Sequence, residues 1–178
     1  KEIIDAYFKK EKFNSTITVV DTGNNSMTGG RVLRIEKYIK NNDFFILTYG
    51  DGLSNINLKD LITFHLEKKK IATITAVHPP ARFGELEINE QSEVKNFIEK
   101  PQVKAGWING GFFVLSNKIF KYIDNDATIF EKEPIEKLVK EKEISAFKHE
   151  GFWKCMDTLR DKISLNEIWN EGDAPWKK

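Results

Sequence analysis

The hydrophobic pattern of this chain centres on a short apolar run, Phe44-Phe45-Ile46-Leu47, that ends in Thr48-Tyr49-Gly50-Asp51-Gly52. The run is too short for a free-standing helix and shows no alternation of apolar and polar positions. Such a run is typical of a strand buried on both faces of a parallel sheet. We therefore predict a central strand within residues 43–52, with its carboxyl end at the crevice where parallel sheets bind ligands.

Segments with helical spacing alternate with segments of strand character around this run. The predicted helices cover residues 1–10, 31–40, 57–70, 117–123, 134–141 and 159–169. The other predicted strands cover residues 15–20, 71–77, 107–115 and 144–148, with a hairpin whose arms are residues 85–88 and 94–99. Alternation of strands with helices predicts an α/β fold.

Two glycine-rich stretches are candidate ligand sites. In the first, Asp51 would stand at the sheet edge, and Gly50 and Gly52 would remove side-chain bulk beside it. A tight turn explains these residues equally well, because Asp and Gly dominate turns. The second stretch, residues 21–30, is a polar loop that leads into a predicted helix, whose first N–H groups could hold phosphate. Its spacing fits no phosphate-loop pattern, and a flexible connection is the commoner explanation.

Composition narrows the class of protein. With 178 residues, 40% apolar and 31% charged, the chain fits one globular domain, residues 1–178. A formal charge of +1 gives no global field that would attract nucleic acid or acidic membranes. The single cysteine, Cys155, forms no internal disulfide, which suits a reducing cytoplasm. The chain begins with Lys1, so we expect an N-terminally incomplete stretch of a longer protein.

Several segments, in this order, resemble the sugar nucleotidyltransferases, also called sugar-nucleotide pyrophosphorylases. The resemblance runs from about Val20 to the end of the chain, and its number of ordered segments makes it specific. The matching segments are residues 20–23, 26–31, 48–52, 79–84, 99–101, 108–113, 124–128, 151–153, 156–161 and 174–177.

The resemblance implies a Rossmann-like, mostly parallel twisted sheet with helices on both faces and an antiparallel hairpin insertion. It implies transfer of CMP from CTP to glucose 1-phosphate, giving CDP-glucose and pyrophosphate, with Mg²⁺ as cofactor. In this family the metal lies between two acidic residues, which correspond here to Asp51 and Asp157. Both are therefore candidate metal ligands and, with Arg31, candidate catalytic residues. By itself, Asp157 could equally be an ordinary helix N-cap.

The resemblance also assigns substrate contacts. It implies that Arg31 and Ser26 contact the nucleotide and that Gly50 leaves room for it. Glu99 and Asn109 would bind sugar hydroxyls. The full predicted substrate-binding set is Ser26, Arg31, Thr48, Gly50, Gly84, Glu99, Lys100, Asn109 and Gly110. Aromatic residues such as Phe113 and Trp153 are expected to be core, because aromatic side chains routinely fill buried strands.

The sequence departs from the family at its start. The family's opening strand and Gly-x-Gly-Thr-Arg loop have no counterpart here, so we expect these 178 residues alone to be inactive or nearly so. Three hypotheses stay open: cytidylyl transfer, thymidylyl or uridylyl transfer by the same chemistry, and a non-catalytic sugar-nucleotide-binding regulatory domain. The family further implies a homo-oligomer that supplies surface-polysaccharide (O-antigen) synthesis. The low net charge and the lack of a long apolar run lead us to expect binding to neither nucleic acid nor membranes.

Overall fold

The computed structural model describes residues 2–10, 13–79, 85–98 and 106–177. The chain forms two compact units. The first contains Lys1–Asp43 and Asn117–Lys142, and the second contains Phe44–Ser116 and Glu143–Lys178. Whether they belong to one domain stays a prediction. The helices are α1 (Glu2–Lys10), α2 (Thr28–Arg34), α3 (Glu36–Ile39), α4 (Leu58–Lys68), a 3-10 helix (Asn117–Tyr122), α5 (Glu133–Lys140) and α6 (Leu159–Glu171). The strands are β1 (Phe44–Thr48), β2 (Gly52–Ser54), β3 (Ala72–Val77), β4 (Glu85–Ile88), β5 (Val94–Ile98), β6 (Ile108–Ser116), β7 (Ile144–His149) and β8 (Trp153–Cys155).

The second unit is built on a four-stranded sheet with the order β1-β6-β3-β7. Strands β3 and β7 are parallel, and β6 pairs antiparallel with both β1 and β3. Three of the four strands therefore run in the same direction, and β6 runs against them. Strands β4 and β5 form the predicted antiparallel hairpin. These features confirm the α/β prediction and its hairpin insertion.

The predicted burial of β1 on both faces is wrong. Within the described residues β1 lies at one end of the sheet and pairs with an antiparallel neighbour. Its residues are half-buried or exposed, and Ile46 is 37% exposed. An uninterrupted apolar run is therefore not sufficient evidence of burial on both faces.

The core of the second unit lies where α4 packs on the sheet. Ile56, Leu61 and Val114 form a buried cluster, with partly buried Phe44, Ile62, Phe112 and Phe147 packed around it. The Asn57 side chain accepts a hydrogen bond from the Lys59 amide at 3.0 Å, which caps α4. His65 is buried, and its Nδ1 lies 2.9 Å from the Thr73 hydroxyl. This histidine therefore packs against the sheet.

The first unit differs from the prediction at two places. Residues 15–20 form no regular strand, and the predicted helix over residues 31–40 begins earlier, at Thr28, and breaks at Ile35. Gly29 and Gly30 therefore belong to the first turns of a helix rather than to a loop. The Gly29 amide donates to the Thr128 carbonyl at 2.9 Å, so this amide holds protein backbone instead of phosphate.

Short elements complete the second unit. Strands β2 and β8 pair antiparallel as a two-stranded ribbon, and the sequence pattern predicts neither strand. Helix α6 starts with a capping box in which Thr158 and Asp161 satisfy each other's amides. Among the described residues, no helix combines the length and apolar character required to cross a bilayer.

Candidate functional site

One edge of the four-stranded sheet gathers most of the sequence-predicted site residues that lie in the second unit. The carboxyl ends of β1, β3 and β7 lie at this edge, and β6 begins there because it runs in the opposite direction. The register pairs Thr48 with Phe112 and pairs Val77 with both Ile108 and His149. Asp51 follows β1, and Asn109 stands at the start of β6. The crevice of a parallel sheet, where ligands bind, lies at this kind of edge.

The β2–β8 ribbon brings the two predicted metal ligands to neighbouring backbone positions. Gly52 lies opposite Cys155, and beyond that pair the Met156 amide donates to the Asp51 carbonyl at 2.9 Å. Asp51 therefore lies across from the residue that immediately precedes Asp157. Both acidic residues are exposed. Two carboxylates at such positions can supply the oxygen ligands that hard divalent cations bind.

Asp157 does not serve as the helix cap that its sequence context suggested. The cap of α6 is Thr158, whose hydroxyl accepts a hydrogen bond from the Asp161 amide at 3.2 Å. The Thr158 hydrogen bond also keeps the pKa of Asp161 below its ordinary value. Thr158 and Asp161 therefore cap α6, so helix capping does not explain the presence of an acidic residue at position 157.

The Cys155 thiol lies beside Asp157. Its Sγ donates to Asp157 Oδ2 at 3.1 Å. Burial, together with the hydrogen bond to Asp157, raises the pKa of Cys155 to about 11. At neutral pH the residue is therefore a protonated thiol that donates to the carboxylate, which does not suit a nucleophile.

Strand β6 starts with an irregular segment at the predicted sugar-binding residues. The Gly111 amide donates to Asn109 Oδ1 at 2.8 Å, and the Gly110 carbonyl accepts a hydrogen bond from the Trp153 indole at 2.8 Å. Because the oxygen of the exposed Asn109 side chain is engaged, its amino group is the part suited to reach a ligand as a donor. Sequence reasoning assigned Trp153 only to the core. The need of a half-buried indole N–H for an acceptor is the signal that would have indicated its contact.

Gly50 and Thr48 lie at the same edge. Within the part of the chain that the structure describes, a Cβ atom added to Gly50 would have no heavy atom within 4 Å, so these residues leave open space beside it. Thr48 is exposed, and its hydroxyl donates to the Tyr49 carbonyl at 3.3 Å. The space beside Gly50 is consistent with its predicted role of leaving room for a nucleotide.

The predicted nucleotide contacts Arg31 and Ser26 lie in the first unit. Arg31 donates from a guanidinium nitrogen to the Thr22 hydroxyl at 2.8 Å. Ser26 is buried, and its hydroxyl donates to the Thr22 carbonyl at 2.5 Å. Both side chains thus hold the segment that precedes α2. Gly84, Glu99 and Lys100 lie outside the described residues.

A second set of side chains at the sheet edge was not predicted. His78 follows β3 and stacks on Trp107 with 3.9 Å between ring centroids. Its Nδ1 lies 2.9 Å from the Gly106 carbonyl oxygen, and its Nε2 lies 3.6 Å from Glu150. Lys148 lies over the Trp107 ring at 5.3 Å. These contacts organise the backbone at the ends of β3 and β7 next to the candidate site.

Comparison with known proteins identifies the family. The family model described as "Nucleotidyl transferase" matches residues 1–168. The chain is 50% identical over 161 residues to glucose-1-phosphate cytidylyltransferase of Salmonella typhi, covering 90% of this chain and 62% of that protein. It is 44% identical over 162 residues to a Bacillus subtilis protein named "Probable glucose-1-phosphate cytidylyltransferase", covering 90% of this chain and 63% of that protein. The chain thus spans less than two thirds of the length of these curated relatives.

The fold is also found in solved structures. The crystal structure of HddC from Yersinia pseudotuberculosis matches with a TM-score of 0.69 at 25% identity, covering 94% of this chain and 73% of that chain. This match confirms the fold class that the sequence predicts. The family model covers nearly the whole chain, and the sequence resemblance agrees with it. The chain therefore belongs to the nucleotidyl transferase family.

Proposed function

We propose that the complete protein is a glucose-1-phosphate cytidylyltransferase, which converts CTP and glucose 1-phosphate to CDP-glucose and pyrophosphate. Similarity to the Salmonella enzyme supports this choice of nucleotide and sugar. The observation that carries the proposal is the pairing of β2 with β8, which sets Asp51 across from the residue before Asp157.

Mg²⁺ is the proposed cofactor. Hard divalent cations prefer oxygen ligands, and Mg²⁺ commonly binds through one or two carboxylates together with substrate phosphates. Asp51 and Asp157 fit this donor set, since both are exposed acidic residues next to the same end of the β2–β8 ribbon. The bound ion would neutralise charge that develops on the reacting phosphates.

The chain's own residues would chiefly bind and orient the substrates. An oxygen of the sugar phosphate attacks the α-phosphorus of CTP, a new P–O bond forms, and the bond to the pyrophosphate leaving group breaks. The sugar phosphate is already ionised at neutral pH, so alignment and charge stabilisation are the main requirements. The proposed substrate contacts are Ser26, Arg31, Thr48, Gly50, Gly84, Glu99, Lys100, Asn109 and Gly110. The proposed catalytic residues are Arg31, Asp51 and Asp157.

The proposal is tested by measuring pyrophosphate release from the complete protein with CTP, UTP, dTTP, ATP and GTP, each with glucose 1-phosphate. We expect CTP to give the highest kcat/KM. Asp51→Asn should lower kcat/KM by about 10³-fold while thermal unfolding stays cooperative, because removal of one stabilising group commonly costs 10²–10³. Preference for another nucleotide would reject cytidylyl transfer. Full activity of Asp51→Asn would reject the catalytic assignment.

The remaining aspects of the proposal concern context. Location in the cytoplasm is supported by the single cysteine. A role in supplying CDP-glucose for O-antigen synthesis is supported by the family resemblance alone. The same resemblance supports a homo-oligomer, which light scattering of the complete protein tests. An assay of residues 1–178 by themselves tests the expectation that this stretch alone is inactive.

A further inference from the structure

Strand β6 carries a bulge where it passes β3. Ile74 lies opposite Phe113, but two residues later Ala76 lies opposite Asn109. The β6 segment between these partners, residues 110–112, therefore stands against the single residue Thr75. A bulge removes backbone groups from the ladder, and buried backbone groups require other hydrogen-bond partners.

The released groups are satisfied by two particular side chains. The Gly111 amide donates to the Asn109 side chain, and the Gly110 carbonyl accepts from Trp153 Nε1, each at 2.8 Å. Gly110 and Gly111 are both buried. The Asn109 contact is local to the bulge, whereas the Trp153 contact comes from strand β8. The indole N–H therefore connects the bulge to the β2–β8 ribbon, and Asp51 and Asp157 lie just beyond one end of that ribbon.

The two glycines of the bulge, Gly110 and Gly111, are packed so closely that a larger side chain would clash at either position. A Cβ atom at Gly110 would lie 2.7 Å from Val77 Cγ1 and 3.1 Å from the Thr75 carbonyl oxygen. Gly111 has φ +78°, a conformation that side chains rarely adopt, and a Cβ there would lie 2.6 Å from the Tyr49 ring. The bulge is therefore closely packed against β3 and Tyr49 as well as bonded to Trp153.

We propose that Trp153 is a positioning residue that fixes the sugar-binding backbone at Asn109–Gly110 relative to the acidic residues Asp51 and Asp157, through its indole N–H. This inference rests on the proposed function and deepens it. Trp153 pairs with Ser54 in the same ribbon in which Gly52 pairs with Cys155. One hydrogen bond thus links the proposed sugar contacts to the β2–β8 ribbon, whose Gly52–Cys155 end is flanked by the two proposed metal ligands.

The test is Trp153→Phe in the complete protein, which keeps an aromatic ring and removes the donor. Misplacement of reacting groups by about 1 Å can cost about 10²-fold, so we expect kcat/KM for glucose 1-phosphate to fall about 10- to 100-fold. The KM for glucose 1-phosphate should rise, and the KM for CTP should stay within about twofold, because the bulge carries only proposed sugar contacts. If Trp153 only stabilised the fold, Trp153→Phe would lower the fraction of folded, active enzyme and leave the KM values for glucose 1-phosphate and CTP unchanged.

Trp169→Phe is the matched control. Trp169 lies on α6, is 50% exposed and contacts Lys177, so the same substitution there should leave both KM values unchanged. Wild-type kinetics in Trp153→Phe would overturn the inference. Absence of turnover in the wild type would instead overturn the proposed function, so the two failures are distinguishable.

Hydrogen–deuterium exchange keeps the inference testable even when Trp153→Phe does not fold. In the wild-type protein, glucose 1-phosphate should slow exchange at residues 108–113 and 153–155 together. The peptide that covers α6 should not change. Protection of residues 108–113 without residues 153–155 would overturn the proposed coupling.

Discussion

Two glycine-containing stretches look alike in the sequence and differ in the structure. Gly29–Gly30 and Gly50–Gly52 both precede or flank residues that the family resemblance assigns to substrate binding. A Cβ atom at Gly30 would collide with the Asp126 carbonyl oxygen, whereas a Cβ atom at Gly50 would meet nothing within 4 Å among residues 2–10, 13–79, 85–98 and 106–177. The first pair allows a helix to pack against a loop backbone, and Gly50 borders open space.

The difference shows that a glycine in a family motif can have either of two physical explanations: close packing against protein backbone, or space for a ligand. At α2, the loop at Asp126–Thr128 approaches the helix so closely that no side chain fits between them. At the sheet edge, no atom of the described residues would crowd a Cβ at position 50, so packing does not explain this glycine, and its proposed role of leaving room for a ligand can be tested. Substitutions to alanine separate the two explanations, because one should impair stability and the other should impair binding.

Gly30→Ala should have the largest effect on stability. The new methyl group would lie within 2.8 Å of three backbone atoms of Asp126, so helix and loop must separate. Overpacking typically costs about 1–3 kcal/mol, which should outweigh the gain of about 1 kcal/mol from alanine in a helix. Urea denaturation followed by circular dichroism measures the change. An unfolding free energy equal to that of the wild type would remove the packing explanation.

Gly50→Ala should show the opposite pattern. Its unfolding free energy should stay within about 0.5 kcal/mol of the wild type, as for other substitutions away from packed features. We expect kcat/KM to fall about tenfold, in line with the smaller effects of disturbed positioning, because the methyl group would intrude where the nucleotide is proposed to bind. Steady-state kinetics of the complete protein with CTP measures it. Unchanged kinetics would mean that Gly50 serves only the turn.

Asp126→Asn should have the smallest effect. The Asp126 carboxylate pairs with Arg34 of α2, and both side chains are largely exposed. The hydrogen bond from Arg34 holds the pKa of Asp126 below its ordinary value of 3.8. A lowered folded-state pKa stabilises the protein above pH 3.8, and that contribution disappears as the pH falls through the folded-state value.

The Asp126→Asn measurement is a pair of thermal melts at each pH. We expect a small decrease in melting temperature near pH 7 that shrinks with added salt and vanishes well below pH 3.8, because exposed ion pairs are weak and screened. A decrease as large as that of Gly30→Ala would show that the ion pair, rather than backbone packing, holds the loop against α2.

Much of the fold follows from periodicity. Helix α4 and strand β3 lie close to their predicted bounds, since their apolar residues recur at helical or strand spacing. Strands β2 and β8 have three residues each, too few to show a pattern, and their pairing depends on partners distant in sequence. The prediction that β1 is buried on both faces was wrong, because the exposure of a strand depends on which elements lie beside it in the sheet.

The candidate site was less accessible to sequence reasoning. Asp51 was a candidate because it follows the apolar run, but its pairing with Asp157 was predicted only through the family resemblance, since no local spacing relates two residues so far apart. The contact of Trp153 with Gly110 was missed, because an aromatic residue in a strand gives no indication of where its N–H points. The assignment of α2 glycines to a loop failed for a similar reason: their packing partner, Asp126–Thr128, comes from a distant segment.

The central claim is that Asp51 and Asp157 hold one Mg²⁺ ion, and a double-mutant cycle tests it most directly. Asp51→Asn, Asp157→Asn and the double variant are compared for kcat/KM and for Mg²⁺ affinity in the complete protein. Two ligands of one ion act as a unit, so the double variant should lose little more than either single variant. Losses that multiply, or Mg²⁺ affinity that persists in the double variant, would contradict a shared ion.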